Sequence, residues 1–458
     1  MPKPNRIKEQ IFLCIERELW EQIPQYLEEL RPADLAEIIT AASPDNQNRL
    51  FSLLSEEDKP DVLAELEGFA EDNVLENLSS EEVADLAEEM APDDAADLLH
   101  EVVERSEEIL DLMEEEESDE VRGLMQYADD TAGGLMTTDY VAVRCSMTAG
   151  EAIDHIVSLE MEEPFYYAYV VDRDGELTGW VQLWELLKPA NREKLIAELR
   201  EEHPISVYTG TDQEEVARFA AKYDLSSLPV LNARDHLVGR VTVDDIIDVI
   251  EEEASEDIFK FAGSSDEELE YTSPFQACKV RLPWLLITLA TGFLSSLILK
   301  NFNHHLGISE ILVLNIFVPI IMAMGGNTGI QSSTLIIRRI AVEGHSNKNI
   351  IKLLTHEIIA GATMGIICGS VIGLWSRFVI SGVQPTPVSA TYLATTVGLA
   401  LFSAMTFAAV FGALVPTLLD RMEVDPAVAS GPFVSASNDI LALLIYYGVT
   451  LLMLGLFA

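Results

Sequence analysis

Asp439 is the residue in this 458-residue chain whose type and position most demand a chemical explanation. It ends the run Gly431-Pro-Phe-Val-Ser435-Ala-Ser437-Asn438-Asp439, and apolar sequence continues from Ile440 to Phe457. An ionised carboxylate so deep in apolar sequence is expensive in a membrane unless it faces protein or water. A second polar run, Gly325-Gly-Asn327-Thr-Gly-Ile330-Gln-Ser-Ser-Thr334, also interrupts an apolar stretch. Its small residues suit either close helix packing or a partly opened segment lining a water-filled path. Glu357 adds a third polar position, beside His356 and a turn from Lys352. It is placed either to reach the membrane interface or to face inward. Mg²⁺ is hard, keeps its waters, and is usually held through one or two carboxylates. One Asp carries half the charge needed. A two-fold homodimer with its axis along a pore would pair two copies of Asp439, with Asn327, Thr334 and Ser435 around the hydrated ion. His304, His305 and His356 lie near span ends, and no Cys/His spacing suggests a transition-metal site.

The other chemical cluster is acidic: Asp244, Asp245, Asp248, Glu251, Glu252, Glu253, Glu256 and Asp257. On a helix Asp245, Asp248 and Glu252 share a face, as do Glu253, Glu256 and Asp257. Like charges at these spacings destabilise a helix, and a divalent cation would compensate them.

These residues belong to two chemically different parts. Residues 1–276 hold 70 Asp/Glu and 20 Lys/Arg, whereas 277–458 hold 7 and 9. The acidic part attracts cations and repels nucleic acid. Four cysteines (Cys14, Cys145, Cys278, Cys368) in no metal-like spacing suit a reducing compartment. Met1–Gln10 is polar, so no signal peptide is expected. The basic part carries five stretches long enough to cross a bilayer: Leu282–Lys300, Ile311–Ile337, Ile350–Ile380, Leu393–Leu419 and Phe433–Phe457. Lys279, Arg281, Arg338, Arg339, Lys348 and Lys352 favour a cytosolic N-terminus, and five spans put the C-terminus outside. A multi-pass protein of the cell membrane is expected.

From Glu9 to Gln126 the period is helical, with breaks at Pro24, Pro32, Pro44, Pro60 and Pro92. Ala33-Asp-Leu-Ala-Glu37 recurs as Ala84-Asp-Leu-Ala-Glu88 and in part as Ala96-Asp-Leu98, which predicts short helices stacked as a superhelix. Ser79 with Glu82, and Ser55 with Asp58, are expected N-terminal caps. After Ala132-Gly-Gly-Leu-Met136 strands alternate with helices, and Tyr169–Asp172 with Gly175–Gly179 recurs as Leu228–Leu231 with His236–Gly239. This internal repeat resembles a tandem cystathionine-β-synthase (CBS) domain pair. That resemblance implies an adenine nucleotide such as ATP as a candidate ligand, with Thr242 and Asp245 where the ribose-binding Thr and Asp sit.

Gly325-Gly-Asn-Thr-Gly-Ile-Gln331, the Asp425-Pro-Ala427 turn, the Pro432-to-Asp439 spacing and Arg281-Leu-Pro-Trp-Leu285 together resemble the MgtE family of magnesium channels. The sequence departs from the family pattern at Ile330, where members often carry an amide. The resemblance covers nearly the whole chain. It implies a multi-domain homodimer: an all-α superhelical N domain (1–131), an α/β tandem CBS pair (132–257), a connecting helix (258–279) and a five-helix transmembrane pore domain (280–458). It further implies that Asp439 is the selectivity carboxylate and that cytosolic Mg²⁺ closes the pore. The candidate sensor ligands carried over are Asp93, Asp97, Asp212, Glu214, Asp224, Asp245, Asp248, Glu253, Glu256 and Asp257. Two other functions fit parts of the pattern: a membrane-tethered nucleotide-sensing regulator, and an ion-coupled divalent cation carrier. No nucleophile–base set or phosphate loop points to an enzyme.

Overall fold

The computed structural model describes residues 3–159, 164–265, 274–305, 313–343, 350–381, 389–422, 424–427 and 431–457. It divides into two compact units, Met1–Glu252 and Glu253–Ala458.

The first unit begins with short helices, among them Pro24–Leu27, Pro32–Thr40, Pro44–Phe51, Lys59–Ala64, Ser80–Ala87 and Pro92–Glu101. The prolines expected as breaks each sit in the first turn of a helix, where a missing N–H costs no hydrogen bond. Ser79 and Glu82 form a complete capping box. Ser55 instead closes a turn: its Oγ accepts from the Asp58 N–H, and the helix starts only at Lys59. The Ala-Asp-Leu repeat buries Leu35, Leu86 and Leu98 at equivalent places and turns the intervening acids outward or sideways. That is why an array so charged still has a core.

The α/β part holds two sheets. In the first, β1 (Ala142–Arg144) runs parallel to β2 (Tyr167–Val171), which pairs antiparallel with β3 (Leu177–Gln182), and β4 (Glu201–Glu202) closes the edge. The second repeats it with β5 (Val207–Tyr208), β6 (Ser227–Leu231) and β7 (Leu237–Thr242). A register shift falls at Val170/Val171 in one copy and at Val230/Leu231 in the other, so the duplication extends to the irregularity. Val207, Leu228, Val230, Val241 and Ile246 share one buried cluster with Leu35, Val62 and Leu98 of the helical array.

Among the described residues the second unit contains five helices long and apolar enough to cross a membrane: Pro274–His305, Val318–Glu343, Ile350–Ser381, Ala390–Arg421 and Gly431–Phe457. Part of the expected connecting helix, and the start of the expected second span at Ile311, lie outside the described residues. Within the described residues 258–279 is not a single helix. The helix Val243–Ala262 stops at Gly263, whose φ of +76° is a left-handed conformation suited to glycine.

Candidate functional site

The glycine-rich stretch of the second span is helical throughout, within Val318–Glu343. Of the two readings left open for it, close helix packing is the one that this helix fits, and the partly opened segment is not formed. Its glycines serve close approach instead: a methyl at Gly325 would come within 2.9 Å of the Ala442 Cβ, and one at Gly329 would overlap Asn438. Gly412 of the fourth span abuts the Gly329 carbonyl. Backbone hydrogen bonds kept inside the helix avoid the cost of exposed amides in hydrocarbon.

Those contacts bring the last span onto the second. A methyl on Gly326 would stand 3.2 Å from Asp439 Oδ1 and 3.5 Å from Ser435 Oγ, so both side chains lie over that glycine. The neighbouring Asn438 is 1% exposed, and neither its Oδ1 nor its Nδ2 has a partner among the described residues. Asn327 and Thr334 occupy another side of the same helix and are exposed, as is Gln331 between them. Asn327, Thr328 and Gln331 also line a cavity of about 350 Å³ with Met324, Met364, Ile367, Cys368 and Met405. Within one chain, then, Ser435 accompanies Asp439, while Asn327 and Thr334 face outward.

Glu357 does not reach for the interface. It is 5% exposed, and its Oε2 accepts a 2.7 Å hydrogen bond from Ser332 Oγ of the second span. Its neighbour His356 is the exposed partner.

In the first unit the acids of Pro92–Glu101 meet those that open Val243–Ala262. Asp97 keeps part of its surface in solvent, yet the protein packed around its carboxyl, together with repulsion from Asp129, Asp245, Glu252 and Glu101, pushes it up to about 7. Asp94 is pushed to about 7 by the same desolvation and by Asp245, Asp97, Asp244 and Glu65. Asp245 rises to about 6 through desolvation, opposed by hydrogen bonds from Thr242. Glu71 reaches about 8, from burial and then Glu101, Asp72, Asp97 and Glu67. Desolvation and its acidic neighbours also raise Asp248. Of the expected sensor residues the fold thus collects Asp97, Asp245 and Asp248, with Asp93 buried on the same helix. It adds Glu65, Glu71 and Asp94, which sequence reasoning missed. Asp94, Asp97 and Glu101 follow i, i+3, i+7 spacing and could have been found by it.

Other expected ligands are elsewhere. Asp212 caps the helix Gln213–Tyr223 by accepting from the Glu214 N–H, and Asp224 ends that helix at φ +52°. Eleven residues separate these two, so they make no common site within one chain. Thr242 donates to Asp245 Oδ2 at 2.6 Å, tying together the pair expected near a ribose. In the second unit Glu256 pairs with Lys260, which also reaches Asp425 Oδ2 at 2.9 Å. Asp257 is raised by burial and by Asp425, on the turn before the last span. Glu253 lies one turn earlier on that helix.

Three family models match this chain: a divalent cation transporter model over residues 318–449, the MgtE intracellular N domain over 30–130, and the CBS domain over 132–190 and 196–252. The magnesium transporter MgtE of Bacillus subtilis is 35% identical over 426 residues, 92% of each chain. That of Thermus thermophilus is 39% identical over 338 residues, 73% of this chain and 72% of the relative. A solved cytosolic domain of the Mg²⁺ channel MgtE in complex with ATP is 34% identical, with a TM-score of 0.49. The match covers 53% of this chain and 99% of that one.

Proposed function

We propose, from the premise that this chain belongs to the MgtE family of magnesium transporters, that it pairs with a second copy to conduct hydrated Mg²⁺ and that cytosolic Mg²⁺ closes the path. One observation carries the pore. On the apolar helix Val318–Glu343 the residues Asn327, Gln331 and Thr334 form an exposed polar stripe. The outward faces of other spans carry Leu285, Phe293, Ile359, Ile366, Leu374 and Phe378, as lipid requires. Amides left against acyl chains would lose their hydrogen bonds at a cost of several kcal/mol each, roughly. Water and a second copy related by a two-fold axis would satisfy them.

In that arrangement each chain brings Asp439 and Ser435 over Gly326. Two carboxylates balance one Mg²⁺, and the amides and hydroxyls of the stripe meet its bound water rather than the bare ion. Glu357, held by Ser332, adds a buried acceptor near the cytosolic end. Closure is assigned to the acids around Asp97 and Asp245. Without cations their mutual repulsion loosens the contact between the helical array and the second α/β repeat. Mg²⁺ bound between them favours the compact form by mass action. The helix Val243–Ala262 carries Asp245 and Asp248 at one end and, about four turns on, Lys260 bonded to Asp425.

Thiol accessibility tests the pore. With the four native cysteines replaced, Asn327→Cys, Gln331→Cys and Thr334→Cys are expected to react with a membrane-impermeant thiol reagent and lose Mg²⁺ flux. Ile366→Cys and Phe378→Cys should stay unreactive. Stripe cysteines as inert as the lipid-facing pair would overturn the assignment.

A further inference from the structure

Among the carboxylates of the first unit stands a nitrogen. The helix Pro92–Glu101 presents Asp97 and His100 three residues apart on one face, and the turn before Thr131 brings Asp129 against them. One ligand atom from each of the three lies within 4.8 Å of the other two. His100 Nδ1 is 2.7 Å from Asp129 Oδ1, yet the ring is out of line for a hydrogen bond and the atom is closed to solvent without a hydrogen-bond partner. With the imidazole protonated the two make an ion pair; with it neutral, a nitrogen and a carboxylate oxygen so close and out of line for a hydrogen bond stand as two ligands of one ion do. With metal–ligand bonds of about 2.1 Å at right angles, neighbouring ligand atoms lie about 3 Å apart. The repulsion among Asp97, Asp129 and Asp245 leaves this corner short of positive charge.

The donor set selects the ion. Mg²⁺ and Ca²⁺ take oxygen ligands, whereas first-row transition ions accept imidazole together with carboxylate. The sequence spacing of Cys and His gave no hint of this, because Asp129 joins from 29 residues beyond His100 in the chain.

We propose that Asp97, His100 and Asp129 form a binding site for a first-row divalent transition metal ion. The site shares Asp97 with the Mg²⁺-sensing reading, but its chemistry stands apart through the His100 nitrogen. An ion there clips the helical array to the turn that leads into the α/β pair, and it does so at concentrations where Mg²⁺ would be outcompeted for the nitrogen.

Mn²⁺ is a direct probe, since pulsed electron paramagnetic resonance detects a nitrogen bonded to it. The full-length protein in detergent micelles, in excess Mg²⁺, is given one equivalent of Mn²⁺ per chain. The expected result is nitrogen hyperfine coupling in the wild type, its loss in His100→Gln, and loss of the Mn²⁺ bound in the presence of Mg²⁺ in Asp129→Asn. Absence of nitrogen coupling in the wild type, or its survival in His100→Gln, overturns the proposal. Mg²⁺-dependent protease resistance of the same samples separates this from the sensor. It should persist in His100→Gln, and its absence from the wild type would sink the Mg²⁺ sensor while the nitrogen coupling still decides the transition-metal site.

Discussion

Asp439 could be read from the sequence because a lone carboxylate before eighteen residues of apolar chain has few innocent explanations. Its neighbours were harder. Gly325, Gly326 and Gly329 allowed two readings, and only their contacts separate them: Gly329 meets Asn438 while Gly326 lies under Asp439. This distinction yields a paired prediction. Gly329→Ala would drive a methyl into Asn438 and the Gly412 contact, so it is expected to abolish a monodisperse protein peak on size exclusion. Gly326→Ala meets Asp439 Oδ1 at 3.2 Å, a contact that a side chain relieves by shifting. It is expected to stay folded and to slow Mg²⁺ uptake several-fold by displacing the carboxylate. Equal behaviour of the two variants would contradict the packing given for this pair. Glu357 was ambiguous for a different reason. Its position near a span end says nothing of direction, and the 2.7 Å bond to Ser332 settles the inward one.

At the scale of elements, prolines, caps and repeats marked the helices of the array because each acts locally. The glycine ladder Gly361, Gly365, Gly369 and Gly373, spaced four residues apart, is equally visible in the sequence. It seats the third span on the fourth, where a methyl on Gly369 would come 2.5 Å from the Gly398 carbonyl oxygen. The acidic cluster was half legible, since Asp245 and Asp248 share a helix face, but Glu71 and Glu65 reach it only through tertiary packing. That cluster makes stability depend on pH. Glu71 near 8, Asp94 and Asp97 near 7 and Asp245 near 6 all lie above their ordinary values. Between about pH 4.5 and 8 the folded form then holds more protons than the unfolded one, so stability is greatest at the acidic end and falls as pH rises. Thermal unfolding of the fragment 1–252 without divalent ions is expected at a lower temperature at pH 8.5 than at pH 5.5, with Mg²⁺ narrowing the gap. A melting temperature that rises with pH in the absence of Mg²⁺ would contradict the crowding.

For the whole molecule, the division into an acidic and an apolar part was written in the charge distribution, and the two compact units follow it closely. What the chain could not disclose is which acids cooperate, because Asp212 and Asp224 turn out to cap opposite ends of one helix. The net charge of −50 on residues 1–276 means that two such parts in a dimer repel. Monovalent salt screens that repulsion only beyond about 8 Å at physiological strength, so closer approach needs ions held between particular carboxylates. Deleting Met1–Gly134 is accordingly expected to leave Mg²⁺ flux less sensitive to cytosolic Mg²⁺. Unchanged inhibition after the deletion would remove the helical array from the gate.

The central claim is that Mg²⁺ crosses a bilayer past Asp439, and uptake into vesicles holding only the purified protein and a trapped Mg²⁺ indicator measures it directly. With low Mg²⁺ outside the cytosolic domains, the wild type is expected to fill the vesicles rapidly. Asp439→Ala and Asp439→Asn, recovered folded, should fill no faster than empty vesicles, because the neutral site no longer offsets the cost of confining the ion. Near-normal uptake by a folded Asp439→Ala protein would contradict the account.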